Sequence, residues 1–205
     1  MIRRLALAAA IVALVLAALG GGLWYGARHF LKAADPVTIA AASLEAVREQ
    51  NVLVPFAARF VAVVTSEQSR FGFSARKTLI MPGMVRYEVD LSALRQQDLK
   101  WNPATATLDV TLPPLRIAGP EVDLSGLKEY GAGGVLMALT DAEARLDAAN
   151  RKGAEVELLR QARDPLPMKL ARDAAVNAIQ RSFAMPLRAA GVEARVIAHF
   201  PGEAG

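Results

Sequence analysis

The sequence predicts an α+β fold: an N-terminal transmembrane helix, then an antiparallel sheet with two long C-terminal helices packed on it, and a final strand. Three observations support this prediction. Residues 5–26 carry no charged side chain, the middle of the chain alternates apolar and polar residues, and apolar residues recur at helical spacing after Thr140. Strands followed by long helices are typical of a sheet that buries one face under helices.

The N-terminal segment is dominated by Ala, Leu, Val and Ile from Leu5 to Gly26. At 1.5 Å per residue, that run spans on the order of 30 Å, the thickness of the hydrocarbon core of a bilayer. Trp24 and Tyr25 close the run, where amphipathic rings favour the headgroup level. We therefore predict a helix in contact with the lipid bilayer through residues 5–26.

This segment can be a retained anchor or a cleaved signal peptide. A signal peptide has a shorter apolar core and a site of small residues after it, whereas the residues that follow here are bulky: Trp24, Tyr25, Arg28, His29 and Phe30. We favour an uncleaved signal anchor. Arg3 and Arg4 ahead of the run favour an inside N-terminus, so the following domain is expected outside the cytoplasm. The predicted domains are an anchor with its juxtamembrane segment, residues 1–34, and an α+β domain, residues 35–205.

Small residues recur every four positions in the apolar run, and this spacing lets two membrane helices approach closely. They form two rows: Ala9, Ala13, Ala17 and Gly21, and Ala18, Gly22 and Gly26. A homo-oligomer formed through the membrane helix, with Gly22 and Gly26 at the contact, therefore remains open. The alternative is chance, because alanine is abundant here.

The α+β domain begins with a helix. Asp35-Pro36 combines an acidic N-cap with proline at the first helical position. Apolar residues at helical spacing then continue to about Gln50. Residues 52–64 are apolar on both faces, which favours a strand covered on both sides.

The strands that follow are separated by turn signals. Residues 71–81 form one stretch, Pro82-Gly83 predicts a turn, and residues 84–91 alternate as a strand. Asn102-Pro103 predicts another turn, after which residues 107–112 alternate. Pro113-Pro114 should place the next run, around residues 115–117, at an edge or take the chain out of the sheet. Short strands joined by tight turns predict an antiparallel meander.

Two helices and a strand complete the domain. Thr140 with Glu143 predicts a capping box, and Asp164-Pro165 predicts the start of a second helix. The expected buried stripes are Ala142, Leu146, Ala149, Val156 and Leu159 in the first helix, and Ala171, Ala174, Ala175, Ala178, Ile179 and Phe183 in the second. Pro186 should kink or shorten the second helix, and Gly191 should end it. Residues 192–200 alternate as the last strand.

Charge and composition exclude several classes of function. The formal net charge is +4, but Arg3, Arg4, Arg28 and Lys32 precede the first acidic residue, Asp35. The remainder is neutral and has no excess of cations, so we expect no nucleic-acid partner. The absence of cysteine excludes disulfides, thiolate metal sites and a cysteine nucleophile.

Several segments resemble a bacterial family, the domain-of-unknown-function family 4230. The similar segments are residues 89–92, 112–114 and 120–123, together with the paired alanine-rich helices before a final strand. The resemblance covers about Asp35 to Phe200, and it implies the architecture and a hydrophobic N-terminal segment. It transfers no catalytic residue.

Two pairs of carboxylates, Glu88 with Asp90 and Glu121 with Asp123, have the i, i+2 spacing that places both side chains on one face of a strand. Such a pair can share a proton or hold a hard cation. The alternative is a solvated sheet face on which Arg86 or Arg95 partners the carboxylates.

The two histidines offer little for catalysis. We expect His29 to be an interfacial residue and His199 a residue of the strand surface. Residues 131–134, Gly-Ala-Gly-Gly, lack the lysine and hydroxyl of a phosphate-binding loop and predict a flexible connection. We therefore assign no catalytic residue, cofactor or metal ligand.

Together these observations predict a single-pass protein of the bacterial inner membrane with an extracytoplasmic domain, periplasmic where an outer membrane exists. We expect a binding or scaffolding module that is not an enzyme, whose partner is an envelope protein, the membrane surface or a lipid-like ligand. The alternatives are an envelope hydrolase that uses the paired carboxylates and a self-associating membrane protein.

Overall fold

The computed structural model describes residues 35–70, 72–132 and 134–202. The predicted transmembrane helix at residues 5–26 lies outside these ranges, as do Gly22 and Gly26. In the part of the chain that is described, no helix combines the length and apolarity that crossing a bilayer requires.

The described residues form an α+β fold of four α-helices and seven strands, together with three short 3₁₀ helices. In chain order the elements are α1 (Pro36–Arg48), β1 (Val52–Arg70), β2 (Phe73–Asp90), β3 (Leu99–Asn102), β4 (Thr107–Thr111), β5 (Leu115–Val122), β6 (Lys128–Ala132), α2 (Gly134–Leu139), α3 (Ala142–Ala162), α4 (Pro165–Ala189) and β7 (Arg195–His199).

The strands form two sheets, so the prediction of a single antiparallel meander is wrong. The first sheet has the order β1-β2-β5, with β6 also paired to β2, and is antiparallel throughout. The second sheet has the order β3-β4-β7, and β7 runs parallel to β4. A parallel pair needs a long crossover connection. The segment between β4 and β7, which includes the helices, provides that connection. Pro113-Pro114 lies where the chain leaves the second sheet for the first, as its missing donors predict.

The first sheet is built on one long hairpin, and the predicted turn at Pro82-Gly83 is wrong. Both residues lie within β2, where Pro82 is opposite Val61 of β1. The Pro82 carbonyl accepts from the N–H of Asp123 at 3.0 Å, so the backbone of Pro82 faces away from β1. The side of β2 on which Pro82 lacks an N–H is paired with β6 up to Ile80 and with β5 from Gly83. Pro82 lies in the gap between these two strands, so no hydrogen bond between strands is lost.

The glycine of the Pro82-Gly83 dipeptide is required by packing and not by a turn. A Cβ there would lie 2.8 Å from Leu158 Cδ1, so the absence of a side chain lets α3 approach β2 closely.

β1 is not covered on both faces as predicted. Its side chains alternate between partly buried and exposed, and the exposed row includes Val61 and Val63, which are 48% and 62% accessible. Only the inner row packs under the helices, where Ala62 is fully buried.

α3 and α4 are the two predicted long helices, and both pack on the first sheet. In α3 the buried residues are spaced by four, whereas Val156 is 61% exposed and Ala149 is also exposed, so that predicted stripe is partly wrong. The buried set is Ala142, Leu146, Asn150, Ala154, Leu158 and Ala162. The predicted capping box is incomplete: the Thr140 hydroxyl accepts from the N–H of Ala142 at 3.2 Å, but the Glu143 carboxylate lies beside Lys77.

The predicted stripe of α4 is confirmed in its main part: Ala171, Ala175, Ile179 and Phe183 are buried, whereas Ala174 and Ala178 are only partly buried. Pro186 lies inside the last turn without ending the helix, and Gly191 follows it with a φ of +78°. A glycine at this position ends a helix without steric penalty.

Four clusters of buried residues make up the core of the described domain, and two of these core regions border the surfaces described below. One lies between α1, α4 and the second sheet, and includes Leu44, Val110 and Phe183. The other lies between the first sheet and α3, and includes Leu79 and Leu158. Among the described residues, the outward face of the second sheet and the outer face and edge of β1 are left open.

Candidate functional site

Three of the four paired carboxylates lie on strands of the first sheet, whereas Asp123 follows the end of β5 at Val122, so the predicted strand-face pair of Glu121 and Asp123 is not formed. Glu88 and Asp90 lie on one face of β2. Arg86 contacts two of the four carboxylates: its Nε is 3.4 Å from Glu88 Oε1, and its Nη1 is hydrogen-bonded to Glu121. These ion pairs raise the pKa of Arg86, chiefly through Glu121. The structure therefore brings Glu88 and Glu121 together around a shared cation.

Asp90 and Asp123 serve as N-caps of two 3₁₀ helices. Asp90 Oδ1 accepts from the Ser92 N–H at 3.1 Å and from the Ser92 hydroxyl at 2.5 Å. Asp123 Oδ1 accepts in the same way from Ser125, at 3.0 and 2.5 Å. This is the local side-chain-to-backbone bonding that aspartate favours in turns. The signal that could have predicted it is the repeated pentapeptide Glu-Val-Asp-Leu-Ser at residues 88–92 and 121–125.

These contacts decide what Asp90 and Asp123 can do chemically. The hydroxyls of Ser92 and Ser125 are the main cause that lowers the pKa of each aspartate. A carboxyl group with a lowered pKa is ionised at neutral pH and cannot donate a proton to a leaving group. Neither aspartate therefore supplies the general acid that a carboxylate-pair hydrolase needs.

The cations near these aspartates differ in part from those expected. The Nη1 atom of Arg116 lies 3.7 Å from Asp90 Oδ2, and Arg59 pairs with Asp123. Arg86 partners Glu88 as predicted, but Arg95 contacts neither carboxylate pair among the described residues; its backbone N–H bonds to Asp98. The four carboxylates are thus partly exposed and paired with arginines.

His199 lies on the outward face of the second sheet and has a carboxylate partner that the sequence does not reveal. Its Nε2 is 3.1 Å from Asp109 Oδ1 of β4, and its Nδ1 is 3.5 Å from the Phe200 carbonyl. The partners are 90 residues apart and meet only because β7 pairs with β4. Both ring nitrogens face oxygen partners, and neither contacts a serine hydroxyl. His29 lies outside the described residues.

The outward face of the second sheet forms an open cleft of about 680 Å³, which we name the polar cleft. Leu108 and Val110 of β4 point into the core, so the residues between them point outward. The cleft is lined by Lys100, Trp101, Asn102, Thr105, Thr107, Asp109, Thr111, Arg195, Ile197 and His199.

Charge in the polar cleft favours anions. Lys100 of β3 is directly opposite Asp109 of β4, and Arg195 of β7 is opposite Thr107. The one carboxylate, Asp109, is hydrogen-bonded to His199. With two permanent cations and one anion, the lining is net positive even when His199 is neutral.

An apolar groove of about 250 Å³ adjoins the polar cleft at Trp101, which lines both. The groove lies between α1 and the second sheet; besides Trp101 it is lined by Val37, Ala40, Ala41, Gln96, Leu99 and Leu108. The two surfaces place an indole between a hydrocarbon lining and a polar lining, an arrangement that suits an aromatic ring with a polar N–H.

The glycine segment does not form a phosphate cradle. Gly131 belongs to β6, Gly134 begins the six-residue α2, and Gly133 lies outside the described residues. Across the ranges that the structure covers, no group of three His, Asp or Glu side chains is arranged to hold a metal ion.

A buried lysine that no sequence pattern marks lies at the far end of the hairpin. Lys77 is 7% accessible, and its Nζ is 2.5 Å from Asp147, 2.9 Å from Glu129 and 3.6 Å from Glu143. The hydrogen bond to Asp147 is the main cause that raises its pKa. The ammonium group is therefore charged and unsuited to act as a nucleophile.

Comparison with known proteins gives one match. The family model described as "Protein of unknown function (DUF4230)" matches residues 45–197, which lie within the span over which the sequence resembles family 4230. No curated protein and no solved structure matches the chain.

Proposed function

Because the chain belongs to the DUF4230 family of proteins of unknown function, we propose from its surface chemistry that it is a binding module of the bacterial cell envelope. In this proposal residues 5–26 anchor the chain in the inner membrane, and the α+β domain lies outside the cytoplasm. The domain binds a ligand and does not catalyse a reaction.

The observation that carries the proposal is the polar cleft. Binding sites are concave surfaces with a few convergent polar groups, and this cleft is lined by two cationic residues, three threonines and a tryptophan. The lining favours a polar ligand with an anionic group, because Lys100 and Arg195 flank the cleft while Asp109 is engaged by His199.

Trp101 provides a direct test of binding. The chain has two tryptophans, Trp24 and Trp101, so in the full chain with Trp24→Phe the tryptophan fluorescence comes from Trp101, where the polar cleft meets the apolar groove. We expect inorganic phosphate or a sugar phosphate to change its fluorescence in a saturable manner, and the uncharged sugar to have a much smaller effect. The proposal fails if no anionic probe changes the signal.

Two charge-removing variants locate the site. A hydrogen bond to a charged group contributes about 1.5–3 kcal/mol, so Arg195→Ala or Lys100→Ala should weaken binding about tenfold to a hundredfold. The matched control is Arg181→Ala, which removes an exposed arginine of α4 outside the polar cleft and should bind as the parent does. Equal loss in all three variants would indicate non-specific attraction to positive charge.

The location is tested separately. We expect the full-length chain to remain in the membrane fraction after an alkaline wash and to enter the supernatant only with detergent, because residues 5–26 favour hydrocarbon. A protease added to the periplasmic side should then digest the domain. Recovery of full-length chain with an intact N-terminus in the detergent-free supernatant would contradict the proposed anchor.

A further inference from the structure

The outer edge of β1 is open. Within the described residues β1 pairs with β2 alone, so the 19-residue strand forms one border of the first sheet. After an irregularity between Leu53 and Phe56, the strand pairs without interruption from Phe56 to Arg70. A strand edge of this length presents a row of backbone N–H and C=O groups that can pair with another strand.

The geometry shows which backbone groups face that edge. The carbonyl of Pro82 bonds to Asp123, so Pro82 and the opposite residue, Val61, do not exchange hydrogen bonds. The backbone of Val61 therefore points to the edge, where its carbonyl accepts from Gln161 Nε2 at 3.2 Å. By alternation, the backbone groups of Val63 and Thr65 also face the edge.

One edge group of this stretch is already bonded: the Val61 carbonyl accepts from Gln161 Nε2, and the N–H of Thr65 in the second copy would replace that exposed side-chain bond. The sequence of the stretch carries none of the usual protections of an edge strand. Natural edge strands are protected by proline, lysine, bulges or shortness, whereas residues 56–70 contain no proline and no lysine. Val61, Val63 and Thr65 follow one another on the exposed row, and β-branched residues favour strand pairing.

The stretch is also complementary to itself. Its midpoint is Val63, and an antiparallel partner centred there places Arg59 opposite Glu67 of the second copy, and Val61 opposite Thr65. Of the five registers centred on residues 61 to 65, only this one pairs Arg59 with Glu67. Opposite charges directly across a strand pair stabilise it.

Contacts within each copy extend this charge pairing. Arg59 already contacts Asp123, and Glu67 lies 2.9 Å from Arg76. Pairing across the copies would therefore join four groups of alternating sign, Asp123, Arg59, Glu67 and Arg76, on each side of the axis.

The helix layer fits the same arrangement. α3 packs over β1 and β2 alike, which places its axis about 5 Å from a two-fold axis beside β1, given a strand spacing of about 4.8 Å. Two copies of α3 would then lie about 10 Å apart, within the range of packed helices. The part of α3 nearest the axis carries Gly153, whose Cβ position is 3.1 Å from Val64.

We propose that two copies of the chain pair antiparallel along the free edge of β1, centred on Val63, and so join their first sheets into one sheet of eight strands. The partner is a second copy because the exposed row, its charges and the covering helix are all complementary to themselves about one axis. This interface is independent of the polar cleft and of the membrane segment.

Cysteine cross-linking of the full chain in membranes tests the register, since the chain has no cysteine of its own. Under oxidation we expect Val63→Cys to form a disulfide-linked dimer, because two residues of a hydrogen-bonded pair have Cα atoms about 5.5 Å apart. Thr65→Cys alone should not, because its two copies would be displaced by four residues, or about 13 Å. Chains with Val61→Cys mixed with chains with Thr65→Cys should cross-link to each other.

These variants control for one another. They share the same N-terminal segment and all lie on the exposed row, so association through the membrane helix would affect them equally. Adding Val63→Lys places two ammonium groups at the axis and should reduce the mixed Val61→Cys and Thr65→Cys cross-link to background without changing the melting temperature. The proposal is wrong if Val63→Cys cross-links no better than Thr65→Cys, or if Val63→Lys leaves the mixed cross-link unchanged.

Discussion

Lys77 shows how a single buried charge can organise one end of the molecule. Its ammonium group lies under the far part of the hairpin, where α3 supplies Asp147 and Glu143 and β6 supplies Glu129. Asn150 of α3 adds a hydrogen bond of 2.8 Å to the Lys77 carbonyl. Three elements that are distant in sequence are thereby held at one point by a nearly buried charge.

Replacing Lys77 should be costly because it leaves three carboxylates without their shared cation. We expect Lys77→Met to lower the free energy of unfolding by about 3 kcal/mol, the loss typical when one partner of a buried ion pair is removed. The measurement is urea denaturation at neutral pH. Adding Asp147→Asn should restore part of the loss, because it removes the nearest unpaired carboxylate.

Lys169 is the matched control for that substitution. It also forms a lysine–aspartate pair, 2.7 Å from Asp173, but both side chains are exposed. Exposed pairs contribute little, so Lys169→Met should change stability by less than about 1 kcal/mol. Equal losses in the two variants would show that burial does not set the contribution of Lys77.

Most residue-scale features of the sites have no local signal in the sequence. His199 and Asp109 are 90 residues apart, and nothing near either predicts a parallel register between β4 and β7. Lys77 looks like any polar position of an alternating strand, and only the distant helix α3 buries it. The caps at Asp90 and Asp123 are the exception, because each aspartate lies in the same pentapeptide, Glu-Val-Asp-Leu-Ser, which occurs twice in the sequence.

At the scale of elements, local signals succeed where short-range chemistry decides. Asp35-Pro36 and Asp164-Pro165 correctly predict where α1 and α4 begin, and Gly191 correctly predicts where α4 ends. Pro82-Gly83 fails as a turn signal because neighbouring strands leave a gap for the proline and a helix occupies the space beside the glycine.

The close approach at Gly83 can be tested by adding one methyl group. A Cβ at this position would be 2.8 Å from Leu158 Cδ1 and 3.4 Å from the Glu121 carbonyl. We expect Gly83→Ala to lower the free energy of unfolding by about 1–3 kcal/mol, as overpacking in a core does. Chemical denaturation measures the loss.

A double-mutant cycle with Leu158→Val identifies the cause. If the collision with Leu158 is responsible, Gly83→Ala should be less damaging in the Leu158→Val background than in the parent chain. Additive losses would instead indicate that the backbone conformation at Gly83 is the source.

At the scale of the whole molecule, the core region of the second sheet and the core region under α3 are bordered by the same elements. The β1–β2 hairpin borders the core under α3, and the end of β2 reaches the core of the second sheet through Val89 and Leu91. α4 contacts β1 near its start and the second sheet near its end. We therefore expect the described domain to unfold as one cooperative unit.

Ile179 tests this expectation, because it is 1% accessible in the core of the second sheet. Ile179→Val should lower the free energy of unfolding by about 1 kcal/mol. In the Trp24→Phe background, Trp101 fluorescence reports on the second sheet, and far-ultraviolet circular dichroism reports on all helices. The two transitions should shift together; fluorescence that changes before circular dichroism would indicate two separate units.

The α+β class and the order of its main helices follow from periodicity, but the division into two sheets does not. Alternation in residues 107–112 predicts a strand without indicating which strand it pairs with. The pairing partner depends on the path of the chain: it leaves the second sheet at Pro113-Pro114 and returns to it as β7 only after the helices.

The parallel pairing of β7 with β4 also determines the order in which the two sheets can form during synthesis. Thr107 pairs with Arg195, so the second sheet can be completed only after residues 195–199 have been synthesised. The hairpin of β1 and β2 needs only its own neighbours and can form much earlier. Until β7 has been synthesised, the edge of β4 with which it pairs remains open to other strands, so that edge is protected only late in the synthesis of the domain.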